Sequence, residues 1–444
     1  MTTETAGTKP FAGDVRLPAV LLMLAPVLSL HKSLVMAPIL AVLATCLLWG
    51  LLKGSRAKGI FVAALSAHRP LLIHLGLLLA WCAAASLWSF NPLFSLNSVL
   101  MLAGTFIAGW ITLVVLDCFT ASQWRPVILA LAAGLGLAGA AMLVAGLVER
   151  CHLADIGRVL WNMDADATVV ALLVWPVLAW LDRFGHRRAA ILLFLVTLAG
   201  VFMAHDIAAK VAMLGGGLAW IGGRWWSAAN LRKIAVVVAL GSLLTPLAAL
   251  HLPPSSVSAG WTWLSSPNHH RLTIWSFSAR HIIEKPFLGW GFDGARAIPG
   301  GKTQIPVVRL AGCRGDQAPI AIAGFDRPVP ADCVIWEESL PLHPHDAWLQ
   351  VWLELGAVGA ILVSLLLMLL ISGPRRSPVT TKGRTASVAS LVVGLTVCSV
   401  SFGAWQSWWL SCLWIAAALI IPLLRAADAP GQFGRGLGNR GSLV

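Results

Sequence analysis

The chain contains no tyrosine, and only 11% of its 444 residues are charged, 19 of them acidic. So little charge, beside a hydrophobic share of 58% and a mean hydropathy of +0.80, excludes a soluble globular domain. No stretch repeats at a fixed period, so nothing in the sequence supports a transporter built from inverted halves. No cleavable leader is expected either: a polar start runs into an apolar stretch with no small-residue cleavage site, and that stretch reads as an uncleaved anchor. Gly289-Trp290-Gly291 is a turn without the following lysine and serine of a nucleotide loop.

Apolar length is what the chain has instead. Stretches near 17–30, 34–52, 70–89, 96–116, 126–148, 166–181, 189–204, 207–222, 233–250, 347–372, 386–403 and 405–424 mark about twelve transmembrane helices of an all-α polytopic membrane protein. The organisation expected is a cytoplasmic tail over 1–16, nine spans within 17–250, a long outward loop with amphipathic helices over 251–346, three spans within 347–424 and a disordered cytoplasmic tail over 425–444. With tyrosine missing, the interfacial belt falls to the 22 tryptophans, Trp405, Trp408 and Trp409 among them.

Basic residues set the expected orientation. Lys53, Arg56, Lys58 and Arg69 share one connection; Arg183, Arg187 and Arg188 the next on that side; then come Arg224, Arg232 and Lys233, and finally Arg375, Arg376, Lys382 and Arg384. These alternate connections belong in the cytoplasm with both termini, which places 251–346 outside. Topology explains much of the net charge of +13, so the charge does not indicate nucleic-acid binding. Most of the eight cysteines lie in or beside spans. Cys313 and Cys333 lie in the outward loop, where an oxidising compartment would allow a disulfide worth about 3 kcal/mol; two free thiols are the other reading.

The polar chemistry crowds the outward connections. Asp164 and Asp166 could hold a divalent cation, although the polar boundary of a span explains them better. Lys210 falls near the start of a span, where an ionisable group is costly, and an ion pair with Asp206 four residues earlier accounts for it equally well. Leu272, Trp275, Ala279 and Ile282 or Ile283 recur at helical spacing up to Pro286, as in an amphipathic helix lying against the membrane surface. Arg280 has Glu284 four residues on as an expected partner, whereas Arg271 has no downstream acid at helical spacing and suits the charge of a ligand. In Leu342–Gly359 a polar loop turns into an apolar helix. Pro344 disfavours helix at His343, Asp346 suits the N-cap, and His345 sits just outside it. Leu349, Trp352 and Gly356 continue down one face to a small residue that permits close packing.

Arg271, Trp275 and Pro286-Phe287-Leu288-Gly289-Trp290-Gly291, followed by His343-Pro344-His345-Asp346 and Leu349-Gln350-Val351-Trp352-Leu353-Glu354-Leu355-Gly356, resemble the O-antigen ligase and polymerase superfamily. The resemblance implies a bacterial inner-membrane glycosyltransferase with its site on the periplasmic face. Its donor would be a polyprenyl-diphosphate-linked glycan, and its acceptor lipid A-core for a ligase or another lipid-linked glycan for a polymerase. It further implies an inverting reaction with no metal and no cofactor, His345 as the base, and Arg271 toward the diphosphate. Two departures stand out: Asp346 replaces an asparagine, and Lys210 stands where an arginine is usual, so bidentate geometry is lost there.

The residues themselves allow the same chemistry. A polyprenyl diphosphate is a good leaving group, so cations must hold the developing charge and a base must take a hydroxyl proton. Arg271 and Lys210 would do the first and His345 the second, with His343 either orienting His345 or only preceding a turn. The start of the following helix disfavours an imidazolium while Asp346 favours it, and the sequence leaves that balance open. A lipid-linked-glycan transporter and a metal-dependent transferase using Asp164 and Asp166 are the rival readings.

Overall fold

The structure, a computed structural model, describes residues 11, 13–55, 57–151, 157–252, 266–308, 313–322, 325, 327–372 and 380–425. The described residues form fourteen α-helices: α1 (Arg16–Ser29), α2 (Met36–Leu52), α3 (Ala57–Ala67), α4 (Arg69–Ser86), α5 (Pro92–Leu116), α6 (Ala121–Arg150), α7 (Gly157–Arg183), α8 (Arg187–Met203), α9 (Ile207–Ile221), α10 (Ala228–Leu250), α11 (Ser266–Glu284), α12 (Ala347–Ser372), α13 (Thr381–Val400) and α14 (Ser407–Arg425). Nine of these helices are long and apolar enough to cross a membrane, and α1, α3 and α9 are shorter apolar helices. The chain is an all-α, multi-pass membrane protein. Each of the twelve apolar stretches coincides with a helix, and α3 is additional, an 11-residue helix inside the basic connection. Most of the tail expected over 1–16 and nearly all of that over 425–444 lie outside the described residues, as do Arg56, Arg375 and Arg376.

Alternating helix directions gather the connections at two ends. Lys382 at the start of α13 pairs with Asp182 at the end of α7 at 2.5 Å, joining two basic connections. At the other end His205, after α8, lies 3.1 Å from Glu149 near the end of α6. The 87–91, 204–206 and 401–406 connections and the described residues of 251–346 all belong to this second end. Among its described residues the long connection carries α11, one of the amphipathic helices expected there. Besides α11 it holds two antiparallel ribbons, β1 (Gln304–Val308) with β4 (Val334–Glu338), and β2 (Pro319–Ile320) with β3 (Val329–Pro330). Cys313 and Cys333 are joined as a disulfide beside them. Asp332 reinforces the turn by accepting from the backbone N–H groups of Arg314, Gly315 and Gln317 at 2.9, 2.7 and 3.5 Å.

α11 is where the periodicity places it, but its apolar face meets protein. Ile274, Ala279 and Ile282 are buried with Ile298, Leu340 and Leu349 and Leu353 of α12, while Ile283 is 58% exposed. Packing on α12 is what buries this face. The ion pair expected between Arg280 and Glu284 is not formed among the described residues; both side chains are exposed, where such a pair contributes little.

α12 is broken at Gly356, whose φ of 64° and ψ of −162° suit almost only glycine. The small residue therefore serves a backbone turn rather than close helix packing alone. The break strands peptide groups that the Pro286–Gly291 turn satisfies. The N–H groups of Trp290 and Gly291 donate to the carbonyls of Leu353 and Glu354 at 2.8 and 3.0 Å, and Ala357 N–H donates to the Pro286 carbonyl at 2.8 Å. Trp81 of α4 donates its indole N–H to the Leu355 carbonyl at 3.1 Å. A Cβ on residue 356 would meet the Phe287 carbonyl oxygen at 2.3 Å. Gly356→Ala should thus lower stability by about 2–3 kcal/mol, read as a lower thermal unfolding midpoint in detergent, whereas Gly104→Ala, in open space on α5, should not.

Candidate functional site

The site forms where α12 begins. Asp346 caps the helix as its sequence position suggests: the carboxylate Oδ1 accepts from Leu349 N–H at 2.9 Å. His345 precedes it with a φ of 56°, a left-handed conformation uncommon for a residue with a side chain. Two contacts hold the loop there. His345 N–H donates to His343 Nδ1 at 3.1 Å, and Trp275 of α11 donates its indole N–H to the Pro344 carbonyl at 3.0 Å. The two imidazoles lie 4.4 Å apart between ring centroids.

The hydrogen-bonding partners decide the ring protonation. His345 Nδ1 lies 2.7 Å from the Ser401 carbonyl oxygen, which can only accept. Nδ1 must therefore carry the proton, and in the neutral ring Nε2 keeps its lone pair. Burial lowers the His345 pKa; the Ser401 carbonyl works against that, and the charges of Arg271 and His270 add to the lowering. Burial likewise pushes His343 down to about 3, helped by His345 and by Arg296. Burial thus favours the neutral form of both rings. Desolvation is the largest cause of both shifts.

Arg271 lies one turn from Trp275 on α11, which puts it on the side of the helix that meets the His343–Asp346 loop. Its Nη1 donates to Asn268 Oδ1 at 3.0 Å. Burial draws its pKa down and the nearby Asp206 carboxylate draws it back, but a guanidinium remains charged throughout. Asp206 caps α9, accepting from Ala208 N–H at 2.8 Å, so the N-terminus of α9 lies near Arg271. Lys210 is half-buried one turn into α9, and it has no ion pair among the described residues. The structure brings His343, His345, Asp346 and Arg271 together, with Lys210 one turn beyond Asp206. Asp166 is fully buried inside the bundle near Cys412, and the side chain of Asp164 lies outside the described residues, so an open carboxylate pair for a cation has no support here.

Sequence reasoning missed the wall behind the histidines. The 401–406 connection supplies the Ser401 carbonyl, the Ala404 N–H, which donates to Gln350 Oε1 at 2.8 Å, and the Gln406 side chain, 3.1 Å from His343 Nε2. Below it the carboxylate of Glu354 is completely buried. It accepts from Gln350 Nε2, Trp405 Nε1 and the backbone N–H groups of Asp293 and Ala295 at 3.0, 2.7, 2.9 and 3.3 Å. Arg296, close enough to bear on His343, pairs with Asp293 at 3.0 Å and lies 4.7 Å over the Phe94 ring. His270, next to Arg271 on α11, donates from Nε2 to the Glu338 carbonyl at 2.7 Å, tying α11 to β4. A turn that begins 56 residues beyond His345 gives no local signal that could have announced these partners.

Fold and site together define a multi-pass membrane protein with a neutral imidazole and a guanidinium collected at one end of its helices. The chain is 27% identical over 377 residues to a Rickettsia felis protein provisionally named a polysaccharide ligase, covering 82% of this chain and 83% of that protein. A Rickettsia typhi protein of the same provisional name is 25% identical over 340 residues, 76% of this chain and 77% of its own length. Another, from Rickettsia prowazekii, is 28% identical over 257 residues, 58% of this chain and 57% of its own length. No protein-family profile matches the chain. No solved structure matches it either.

Burial raises the Asp346 pKa from 3.8 to about 7, against the hydrogen bonds that favour its charged form. A carboxyl raised in this way contributes stability fully below its unfolded pKa and loses that contribution as pH rises through the folded value. An asparagine at this position would keep the capping oxygen without the titration. Asp346→Asn is therefore expected to unfold at a higher temperature than the wild type above pH 7, with the difference closing as the pH falls toward 4, measured by thermal unfolding across that range.

Proposed function

We propose that this protein is an inverting membrane glycosyltransferase that moves a glycan from a polyprenyl-diphosphate donor to lipid A-core on the periplasmic face of the inner membrane. The observation that carries the reading is the His345 ring, held with its proton on Nδ1 and a bare Nε2 beside Arg271. The similarity to provisionally named polysaccharide ligases supports it. The domain limits of the sequence reading, with 251–346 outside, belong to the same proposal.

The reaction follows from those groups. His345 Nε2 takes the proton of the acceptor hydroxyl as its oxygen forms a bond to the anomeric carbon. The bond from that carbon to the diphosphate oxygen breaks on the opposite face, which inverts the configuration. Arg271 holds the charge that develops on the leaving diphosphate, and Lys210 adds a point charge from α9. Asp346 keeps the first turn of α12 closed, and His343 positions its neighbour. No step calls for a metal or a cofactor.

His345→Ala should lower kcat by about 10²–10⁴-fold, the usual contribution of a positioned base. Arg271→Lys should keep the charge yet lose the planar fork, and so lower kcat/KM by at least about tenfold. Both are read as transfer from a lipid-linked glycan to a purified core glycolipid in detergent, and full activity of the alanine variant would refute the base. The glycolipids of a deletion strain separate this reading from a polymerase: undecorated core with long lipid-linked chains indicates a ligase, and core bearing single units indicates a polymerase.

A further inference from the structure

His343 is a ring with two committed nitrogens. Its Nδ1 accepts from the backbone N–H of His345 at 3.1 Å, so that nitrogen holds a lone pair. A neutral imidazole has one N–H, which must then be on Nε2 and needs an acceptor. Its neighbour, 3.1 Å away, is the side-chain amide of Gln406. An amide nitrogen accepts no hydrogen bond; its oxygen does. Gln406 Oε1 is otherwise buried without a hydrogen-bond partner. Rotating the amide by half a turn about its last bond gives the ring its acceptor and the oxygen its donor: the oxygen faces the ring and accepts a hydrogen bond from Nε2–H.

We infer that Gln406 and His343 form a positioning relay, in which the amide oxygen fixes the His343 tautomer and the His343 lone pair holds the left-handed backbone of His345. This rests on the reading of His345 as the base. Position 403 gives the relay room, because a Cβ there would meet Gln350 Oε1 at 2.9 Å and His343 Cγ at 3.1 Å. Neighbouring rings thus carry opposite tautomers: His343 has its proton on Nε2 and its lone pair inward, and His345 has its proton on Nδ1 and its lone pair free. His343 has no nitrogen to spare for a substrate. Its part is to keep His345 at a φ of 56°, a conformation that costs energy unless the surroundings enforce it.

The acceptor is what matters at 406, and a change of acceptor tests the relay. Gln406→Met, which keeps much of the volume and removes the oxygen, should lower kcat by about tenfold with KM within about twofold, since a displaced group costs rate more than binding. Gln406→Glu, which restores an acceptor, should recover most of that loss. A role in packing alone would leave the methionine variant at the wild-type kcat and would gain nothing from glutamate. A second pair of variants serves should position 406 prove intolerant. His343→Asn places a side-chain oxygen near the site of Nδ1 and can still accept from His345 N–H, whereas His343→Gln places its oxygen near the site of Nε2, against Gln406. Higher kcat for His343→Asn is expected; equal rates would overturn the relay. Full transfer by His345→Ala would instead overturn the function on which the relay rests, so the two failures are distinct.

Discussion

The break in α12 at Gly356 is the constraint around which the functional end of the molecule is built. A helix interrupted inside an apolar bundle frees carbonyls and N–H groups that water cannot reach, and each buried group left unpaired costs about 1–3 kcal/mol. Here the Pro286–Gly291 turn answers the loss from both directions, donating to the carbonyls before the break and accepting from Ala357 after it. The turn and the broken helix are therefore obligate partners. Glu354 extends the joint, since its carboxylate is shared among two backbone N–H groups of the same turn region, Gln350 and Trp405. One acidic group binds three parts of the chain that lie far apart in sequence.

From that joint the site follows by connection. Fixing the 286–295 segment fixes the end of α11, and α11 then lays Ile274, Ala279 and Ile282 against Leu349 and Leu353 in the first half of α12. Arg271 and Trp275 are thereby brought to the loop that precedes α12, and Trp275 secures it through Pro344. The 401–406 connection closes the other side, held by Gln350 and Glu354 below and by His343 and His345 above. The neutral rings are a consequence of this enclosure. Burial is the largest of the causes that lower the pKa of both rings.

Much of this architecture is legible in the sequence, and the boundary of what is legible has a physical cause. Twelve apolar stretches each mark a helix because hydrophobic length is written residue by residue. The N-cap at Asp346 and the position of His345 outside it are equally local, as is the run of α11. What the chain does not announce is pairing over distance. The periodicity of α11 shows an apolar face but not what covers it, so α12 takes the place expected of the membrane surface. Gly356 reads as a small packing residue because a backbone turn leaves the same trace. Arg280 and Glu284 have the spacing of an ion pair, yet both remain in solvent, where pairing gains little. Gln406 and Ser401 sit in a short connection with no motif, and only the closed structure gives them meaning.

The electrostatic setting of His345 also bears on how the proposed transfer would be timed. In the free site the Arg271 charge disfavours a second proton on the ring. A lipid diphosphate bound at Arg271 would offset that charge and reverse the sign of the field at the ring. The imidazole would then become a stronger base only when donor is present. As the leaving diphosphate of the proposed reaction gained negative charge, an imidazolium on His345 would be stabilised further, so proton removal from the acceptor and departure of the diphosphate would assist one another. A base held neutral beside a cation suits such a reaction better than one held in place by a carboxylate partner. The carboxylate would raise the basicity of the ring with or without donor, whereas the guanidinium ties that basicity to the bound diphosphate.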